Sequence, residues 1–324
     1  MKILVTGGAG FIGANFVNSL LSDNAPWQEI IVLDALTYAG NLANLKTALE
    51  SPKVRFVKGD IRDAAIGGTL MSEVDTVVHF AAESHVDRSI SNPNEFISTN
   101  VLGTNILLNA ALHSDVSKFI HVSTDEVYGS IDSGSWSEES PISPNSPYSA
   151  SKAGSDLVAL SYFRTYGLPV IVTRCSNNYG KYQFPEKLIP LAISNLIDAK
   201  PIPIYGDGLN SRDWLDVRDH CRAINLIIEN GLVGQVYNIG GGRELSNIEM
   251  AGLLLSEFGL NDSYIKFVED RKGHDRRYSV SFDKVSRQCG YQPKHRFEDS
   301  LKETIDWYRA NESWWRPLKV QPQS

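Results

Sequence analysis

Tyr148 and Lys152 stand four residues apart in Tyr148-Ser149-Ala150-Ser151-Lys152. On a helix that spacing stacks a phenol and an ammonium on one face. A neighbouring cation favours the phenolate, so the pair reads as a general base whose pKa Lys152 lowers. A second group is Ser123-Thr124-Asp125-Glu126, where a hydroxyl and two adjacent carboxyls follow the β-branched run Lys118–Val122. Two acids so close resist being charged together, which divides such a pair into a neutral donor and an ionised acceptor. Each pattern alone has a plainer reading, as surface Tyr and Lys or as a solvated acidic loop. A third motif favours chemistry.

That motif is Gly7-Gly8-Ala9-Gly10-Phe11-Ile12-Gly13, placed between the strand-like Lys2–Thr6 and a helical pattern that runs through Leu21. Gly7 permits a tight turn, Gly10 lets backbone approach a pyrophosphate and Gly13 lets the helix pack on the strand. The helix start at Phe11 and Ile12 turns free N–H groups toward the anion. Asp34 follows Gly13 by 21 residues, directly behind Ile30-Ile31-Val32-Leu33. A carboxylate there accepts hydrogen bonds from the adenosine ribose and repels the extra phosphate of NADP, so the expected cofactor is NAD. Asp60 and Ile61, at the end of a later strand, are placed to meet the adenine; the plainer reading of Asp60 is a solvated turn acid.

The elements that must position these groups are legible as short apolar runs. Strands are expected at Lys2–Thr6, Glu29–Leu33, Val54–Lys58, Thr76–His79, Lys118–Val122 and Val170–Arg174, with another apolar run at Gln235–Ile239. Several are apolar almost throughout, and the segments between them are long enough for crossover helices, as in a doubly wound parallel sheet covered on both faces. Beyond Arg174 the prolines Pro185, Pro190, Pro201 and Pro203 punctuate shorter elements. From Ser246 onward, helices and Arg-rich loops lead to the tail Trp314-Trp315-Arg316-Pro317. The expected division is a dinucleotide-binding domain of residues 1–176 plus about 213–240, and a smaller mixed α/β substrate lobe of about 177–212 plus 241–324.

Composition narrows the classes of function. The 324 residues carry 31 basic and 38 acidic side chains, a formal charge of −7, so nothing draws the chain generally to nucleic acid or anionic lipid. No apolar stretch approaches the roughly 18 residues of a membrane span, and Met1-Lys2 runs into a strand without a signal-peptide pattern; a cytoplasmic protein is expected. Cys175, Cys221 and Cys289 lack a CxxC pair, which argues for buried thiols over disulfides or a metal site.

Gly7–Gly13, Tyr148–Lys152 and Thr124-Asp125-Glu126 together resemble the extended short-chain dehydrogenase/reductase superfamily, with its Rossmann-like sheet, and within it the dTDP-glucose 4,6-dehydratases. The likeness continues through Leu36–Asn41, Ala81–Asp87, Asn177–Gly180, Gln183–Leu188 and Gly273–Tyr278. The acid pair points to dehydration, because the related sugar epimerases lack it. The resemblance implies NAD contacts from Leu36, Thr37, Gly40, Asp60, Ile61, Ala81, Ala82, Ser84, Thr99 and Asn178, besides the glycine loop, Asp34, Tyr148 and Lys152. It implies a nucleotide-diphosphate hexose as substrate. Lys187, Arg212 and Arg271 would serve its nucleotide end, and Asn177, Tyr205, Asn247 and His274 would line the same cleft with Glu186, Leu188 and Pro203. Ser84, His85, Asp87 and Thr124 would lie nearer the sugar. For each of these taken singly, a salt bridge or a satisfied loop group is the plainer reading.

The family reaction implied is oxidation at C4, with Tyr148 as base and Thr124 on the C4 oxygen. Glu126 and Asp125 then remove water across C5 and C6, and hydride returns to C6. A UDP-sugar 4-epimerase or decarboxylase on the same scaffold is the alternative, and a catalytically silent nucleotide-binding regulatory protein a further one. Lys181 and Lys272 stand where the family usually has Pro, which bears on the base or sugar recognised. Helical patterns at Glu95–His113 and Ser149–Tyr166 suit a homodimer through a four-helix bundle.

Overall fold

The computed structural model describes residues 1–21 and 26–320. Seven parallel strands form the main sheet: β1 (Lys2–Thr6), β2 (Glu29–Asp34), β3 (Val54–Lys58), β4 (Thr76–His79), β5 (Lys118–Thr124), β6 (Val170–Cys175) and β10 (Val236–Ile239). Their order is β10-β6-β5-β4-β1-β2-β3, so the winding reverses between β1 and β4. A crevice opens at such a reversal, outside the carboxyl ends of the strands.

The strands are apolar on both faces because both faces are covered. Ile3, Val5, Ile30, Val32, Val78 and Ile120 pack into one core with Phe16 and Val17 of the helix Phe11–Ser19 and Ile224 and Ile227 of the helix Val217–Asn230. Their alternates Leu4, Ile31, Leu33, Val77 and Phe119 pack into the other, against Leu107 and Leu108 of the helix Thr104–Leu112 and Ala159 and Leu160 of the helix Pro147–Tyr166. This two-residue alternation between separate cores fixes the register, since a slip of one residue would exchange every side chain between faces. All seven expected strands are present. β2, β5 and β6 run one or two residues further than the apolar pattern, so Asp34, Thr124 and Cys175 are strand-end residues.

The second lobe has smaller sheets. β7 (Asn177–Tyr179), β9 (Ser211–Asp216) and β11 (Glu244–Ser246) form one, and β8 (Ile202–Tyr205) pairs in parallel with β12 (Ile265–Val268). β9 lies in the three-stranded sheet along its whole length, and the chain returns to the main sheet through the helix Val217–Asn230. The segment Glu95–His113 is not one regular helix: Pro93–Phe96 and Thr104–Leu112 flank a π-helical stretch, Ile97–Gly103. Cys175, Cys221 and Cys289 are buried free thiols, and among the described residues no helix is long and apolar enough to cross a membrane.

The aromatic tail takes a form that the sequence pattern left open. It forms the helix Glu312–Val320, with Pro317 inside it, and Trp315 is fully buried in the lobe core with Nε1 donating to the Tyr308 carbonyl at 2.8 Å. The run is helical because the lobe core supplies an apolar seat for Trp315. Trp315→Ala empties that seat, and urea denaturation should show a loss of about 3–5 kcal/mol.

Candidate active site

The turn after β1 has little room for any side chain. Gly7 has φ +67°, and a Cβ there would lie 2.6 Å from the Ala81 nitrogen; a Cβ on Gly13 would lie 2.3 Å from the Gly7 carbonyl oxygen. Gly10 differs: its nearest obstacle would be the Gly7 oxygen at 3.3 Å, and the rest of its surroundings open into the cavity. The helix begins at Phe11 without a side-chain cap, leaving its first N–H groups for a ligand. This is a cradle that fits a pyrophosphate.

Asp34 closes the loop from the other side. Its buried carboxylate accepts from the Ala9 N–H at 2.9 Å and the Leu36 N–H at 2.8 Å. Burial pushes its pKa up, and these two bonds hold it back. Leu36, at φ +55°, contributes this backbone bond but is absent from the cavity lining.

A cavity of about 310 Å³ runs from this loop along the ends of β1, β4, β5 and β6. Gly7, Gly10, Phe11, Ile12, Gly13, Asp34, Thr37, Gly40, Asp60, Ile61, Ala81, Ala82, Ser84, Thr99, Tyr148, Lys152 and Asn178 all line it, as do Thr124, Asp125, Glu126, Asn177, Glu186 and Lys187. Asp60 is not simply a solvated turn acid, because Arg62 binds its carboxylate at 2.7 Å. Cys175 and Ser176 also line the cavity, beyond the residues expected from sequence. Their signal was the one that singled out Thr124, a place at the carboxyl end of a parallel strand, but the apolar run of β6 fades before them.

The carboxyls after β5 are unequal. Asp125 is 2 % exposed; its Oδ1 accepts from Thr124 Oγ1 at 3.3 Å, and Oδ2 has no partner. Burial first, then the charges of Glu126 and Asp213, push its pKa well above the carboxylate range. Glu126 is also raised by burial, but Arg271, Lys187 and Arg212 pull it back. Asp125 is therefore the group that keeps its proton.

Tyr148 and Lys152 share the helix Pro147–Tyr166, fixed at its start by a reciprocal Ser146–Ser149 capping box. The expected lowering of the Tyr148 pKa is not what the geometry gives. Burial, followed by Glu126, Cys175 and Asp125, pushes it well above the ordinary phenol value, while a hydrogen bond with Thr124 opposes the rise. Lys152 instead turns its ammonium to the Val122 carbonyl at 2.8 Å, and burial lowers its pKa to about 8.

The remaining expected residues lie beyond the cavity lining, and His85, Asp87, Tyr205, Arg271 and His274 among them form a connected polar wall. Tyr205 donates to Asp87 at 3.4 Å, Arg271 stands 3.9 Å from Asp87, and His85 lies between Asp87 at 4.0 Å and Glu186 at 3.8 Å. Burial pushes the His85 pKa down to about 3, so its ring is neutral. His274 pairs with Asp270 at 2.6 Å and meets the Tyr205 ring edge-on. Leu188 opens the helix Leu188–Ile197, Pro203 sits in β8 and Asn247 opens the helix Asn247–Phe258. Lys181 and Lys272 are exposed, and neither lines the cavity.

Three cations here have spare donors. Arg212 is buried, and its bonds go to the Ser211 and Asp275 carbonyls; Lys187 donates to the Ser84 carbonyl; Arg271 has a buried Nε without a partner. Among the described residues, no ion pair includes Arg212 or Lys187. Buried cations left this way suit an anionic ligand.

Residues 4–304 match the family model for GDP-mannose 4,6 dehydratase. The dTDP-glucose 4,6-dehydratase of Streptomyces antibioticus is 56% identical over 99% of this chain and 96% of its own. DesIV, the dTDP-glucose 4,6-dehydratase of Streptomyces venezuelae solved with NAD and TDP bound, is 57% identical, with a TM-score of 0.97 over 98% of this chain and all of that one. A UDP-glucuronic acid 4-epimerase from Bacillus cereus, in complex with UDP-glucuronic acid and NAD, superposes with a TM-score of 0.90 over 96% of this chain and 99% of its own, but is only 28% identical. The fold is thus common to epimerases and dehydratases, and identity over nearly the full length separates them: this chain belongs to the dTDP-glucose 4,6-dehydratase family of hydro-lyases.

Proposed function

We propose that the chain converts dTDP-glucose, with NAD, into the 4-keto-6-deoxy sugar by loss of water across C5 and C6. The observation that carries this reading is the unequal acid pair Asp125–Glu126 beside Tyr148 in the cofactor cavity. A 4-epimerase needs no second acid and base for a departing hydroxyl.

Held by the glycine cradle and Asp34, NAD would supply the acceptor for hydride from C4 and its donor to C6, and its positive ring would favour the Tyr148 phenolate. Tyr148 removes the proton of the 4-hydroxyl, and Thr124 holds the resulting C4 oxygen. The ketone makes the C5 proton acidic. Glu126 takes that proton while Asp125 protonates the 6-hydroxyl, which leaves as water, and Glu126 later returns its proton to C5. At the end Tyr148 holds a proton that Asp125 lacks. Thr124 hydrogen-bonds both, which gives that proton a route home.

The division into a cofactor domain of residues 1–176 plus about 213–240 and a nucleotide-sugar lobe from the rest is part of this reading. The spare donors of Arg212, Lys187 and Arg271 support a pyrophosphate partner in that lobe. Exposed Ile97 and Leu102, with Leu157 and Tyr166 on the helix Pro147–Tyr166, support a homodimer through these helices. Three buried free thiols accord with a reducing, cytoplasmic setting.

Three outcomes test the reading. Arg212→Ala should raise KM by about 10–100-fold, the loss of one or two charge-assisted bonds, with a smaller change in kcat; an unchanged KM would assign Arg212 a structural role. Asp125→Asn or Glu126→Gln should abolish water loss while partial reduction of bound NAD by substrate remains visible near 340 nm. The base form of Glu126 is lost as pH falls through its raised pKa, so kcat/KM should decline on the acid side above the ordinary carboxylate value of 4.5.

A further inference from the structure

One buried acid next to the catalytic helix face has no part in the reaction described. Asp156 lies one helical turn beyond Lys152, on the face that carries Tyr148 and Lys152, and is fully buried. Its Oδ2 accepts from Arg174 Nε at 2.9 Å, and its Oδ1 lies 3.3 Å from His121 Nε2. Arg174 is held in turn by Tyr128 at 2.7 Å, and Tyr128 by Asn238 at 2.8 Å. Arg174 thus clamps the carboxylate through Oδ2, while Oδ1 has no hydrogen-bond partner, and Asp156 does not line the cavity.

Lys152 is the opposite case. It is 4 % exposed, its one hydrogen bond goes to a carbonyl, and no ion pair among the described residues includes it. An ammonium so desolvated loses its proton unless a counter-charge is near. The titratable groups around it are Tyr148 and Asp156 on its own helix, His79 on β4, His121 on β5 and Cys175 on β6. Burial, aided by the Lys152 charge, keeps both histidines neutral, and burial pushes the Cys175 thiol up to about 12. Asp156 alone of these is ionised: burial would raise its pKa, but the His121 ring beside it and the Arg174 charge outweigh it.

We propose that Asp156 is a positioning residue that holds the Lys152 ammonium charged in a dry site, acting through space from one helical turn away. The proposal rests on the catalytic reading of Tyr148 and Lys152. It gives the buried acid a role beyond pairing the Arg174 guanidinium.

The test is the pH dependence of kcat for the NAD-loaded enzyme turning over dTDP-glucose. Asp156→Asn keeps the shape and an acceptor for Arg174 but removes the charge. The alkaline limb, where Lys152 deprotonates, should move to lower pH by about one unit, with a five- to tenfold loss at pH 8 and little loss at pH 6.5. A uniform loss across pH with the limb unmoved overturns the proposal. If Asp156→Asn does not fold, Arg174→Gln decides: it removes the cation that holds Asp156 ionised, so burial favours the protonated carboxyl and the limb should fall, and an unmoved limb overturns the proposal. Lys152→Met separates the two levels. It is inactive if the catalytic reading holds, and if it retains turnover that reading falls, whatever Asp156 does.

Discussion

Everything in the site depends on keeping two adjacent carboxyls chemically different. Asp125 and Glu126 follow one another at the end of β5, yet one is sealed against Asp213 and the other faces three cations. Sequence adjacency makes them repel. Fold position then decides which of them yields, by giving Asp125 no partner for Oδ2 and giving Glu126 the field of Arg271, Lys187 and Arg212. Two neighbouring carboxyls thereby hold their protons unequally at one pH.

That inequality is assembled from two lobes. The main sheet delivers the carboxyls and the Tyr148–Lys152 helix face to the end where its winding reverses, beside the glycine cradle. Arg212 and Arg271 come from the lobe beyond β6 and impose the asymmetry from outside. The same cations that suit a pyrophosphate therefore also hold down the Glu126 pKa.

Much of this was legible in the amino-acid sequence, for identifiable reasons. Strands apolar on both faces announce a covered parallel sheet, and Gly7 and Gly13 are forced by contacts that a Cβ would violate. The acid pair was legible because it follows a strand. The Trp314–Pro317 tail was not, since its helix depends on a distant apolar seat for Trp315. Nor was the orientation of Lys152: the four-residue spacing puts it on Tyr148's face, but its ammonium turns to Val122, a choice made by tertiary packing. The π-helical stretch Ile97–Gly103 was hidden too, because hydrophobic period does not distinguish it from ordinary helix. Its Asn100 bonds both Glu83 and Ser151, tying a cavity loop to the catalytic helix, which a sequence pattern cannot reveal.

The most direct measurement follows one hydrogen atom. dTDP-glucose deuterated at C4 is turned over in ordinary water, and the product is read by mass spectrometry and deuterium NMR. The account predicts that the label reappears at C6 within the same molecule. Label lost to solvent, or a product that retains its 6-hydroxyl, would contradict it.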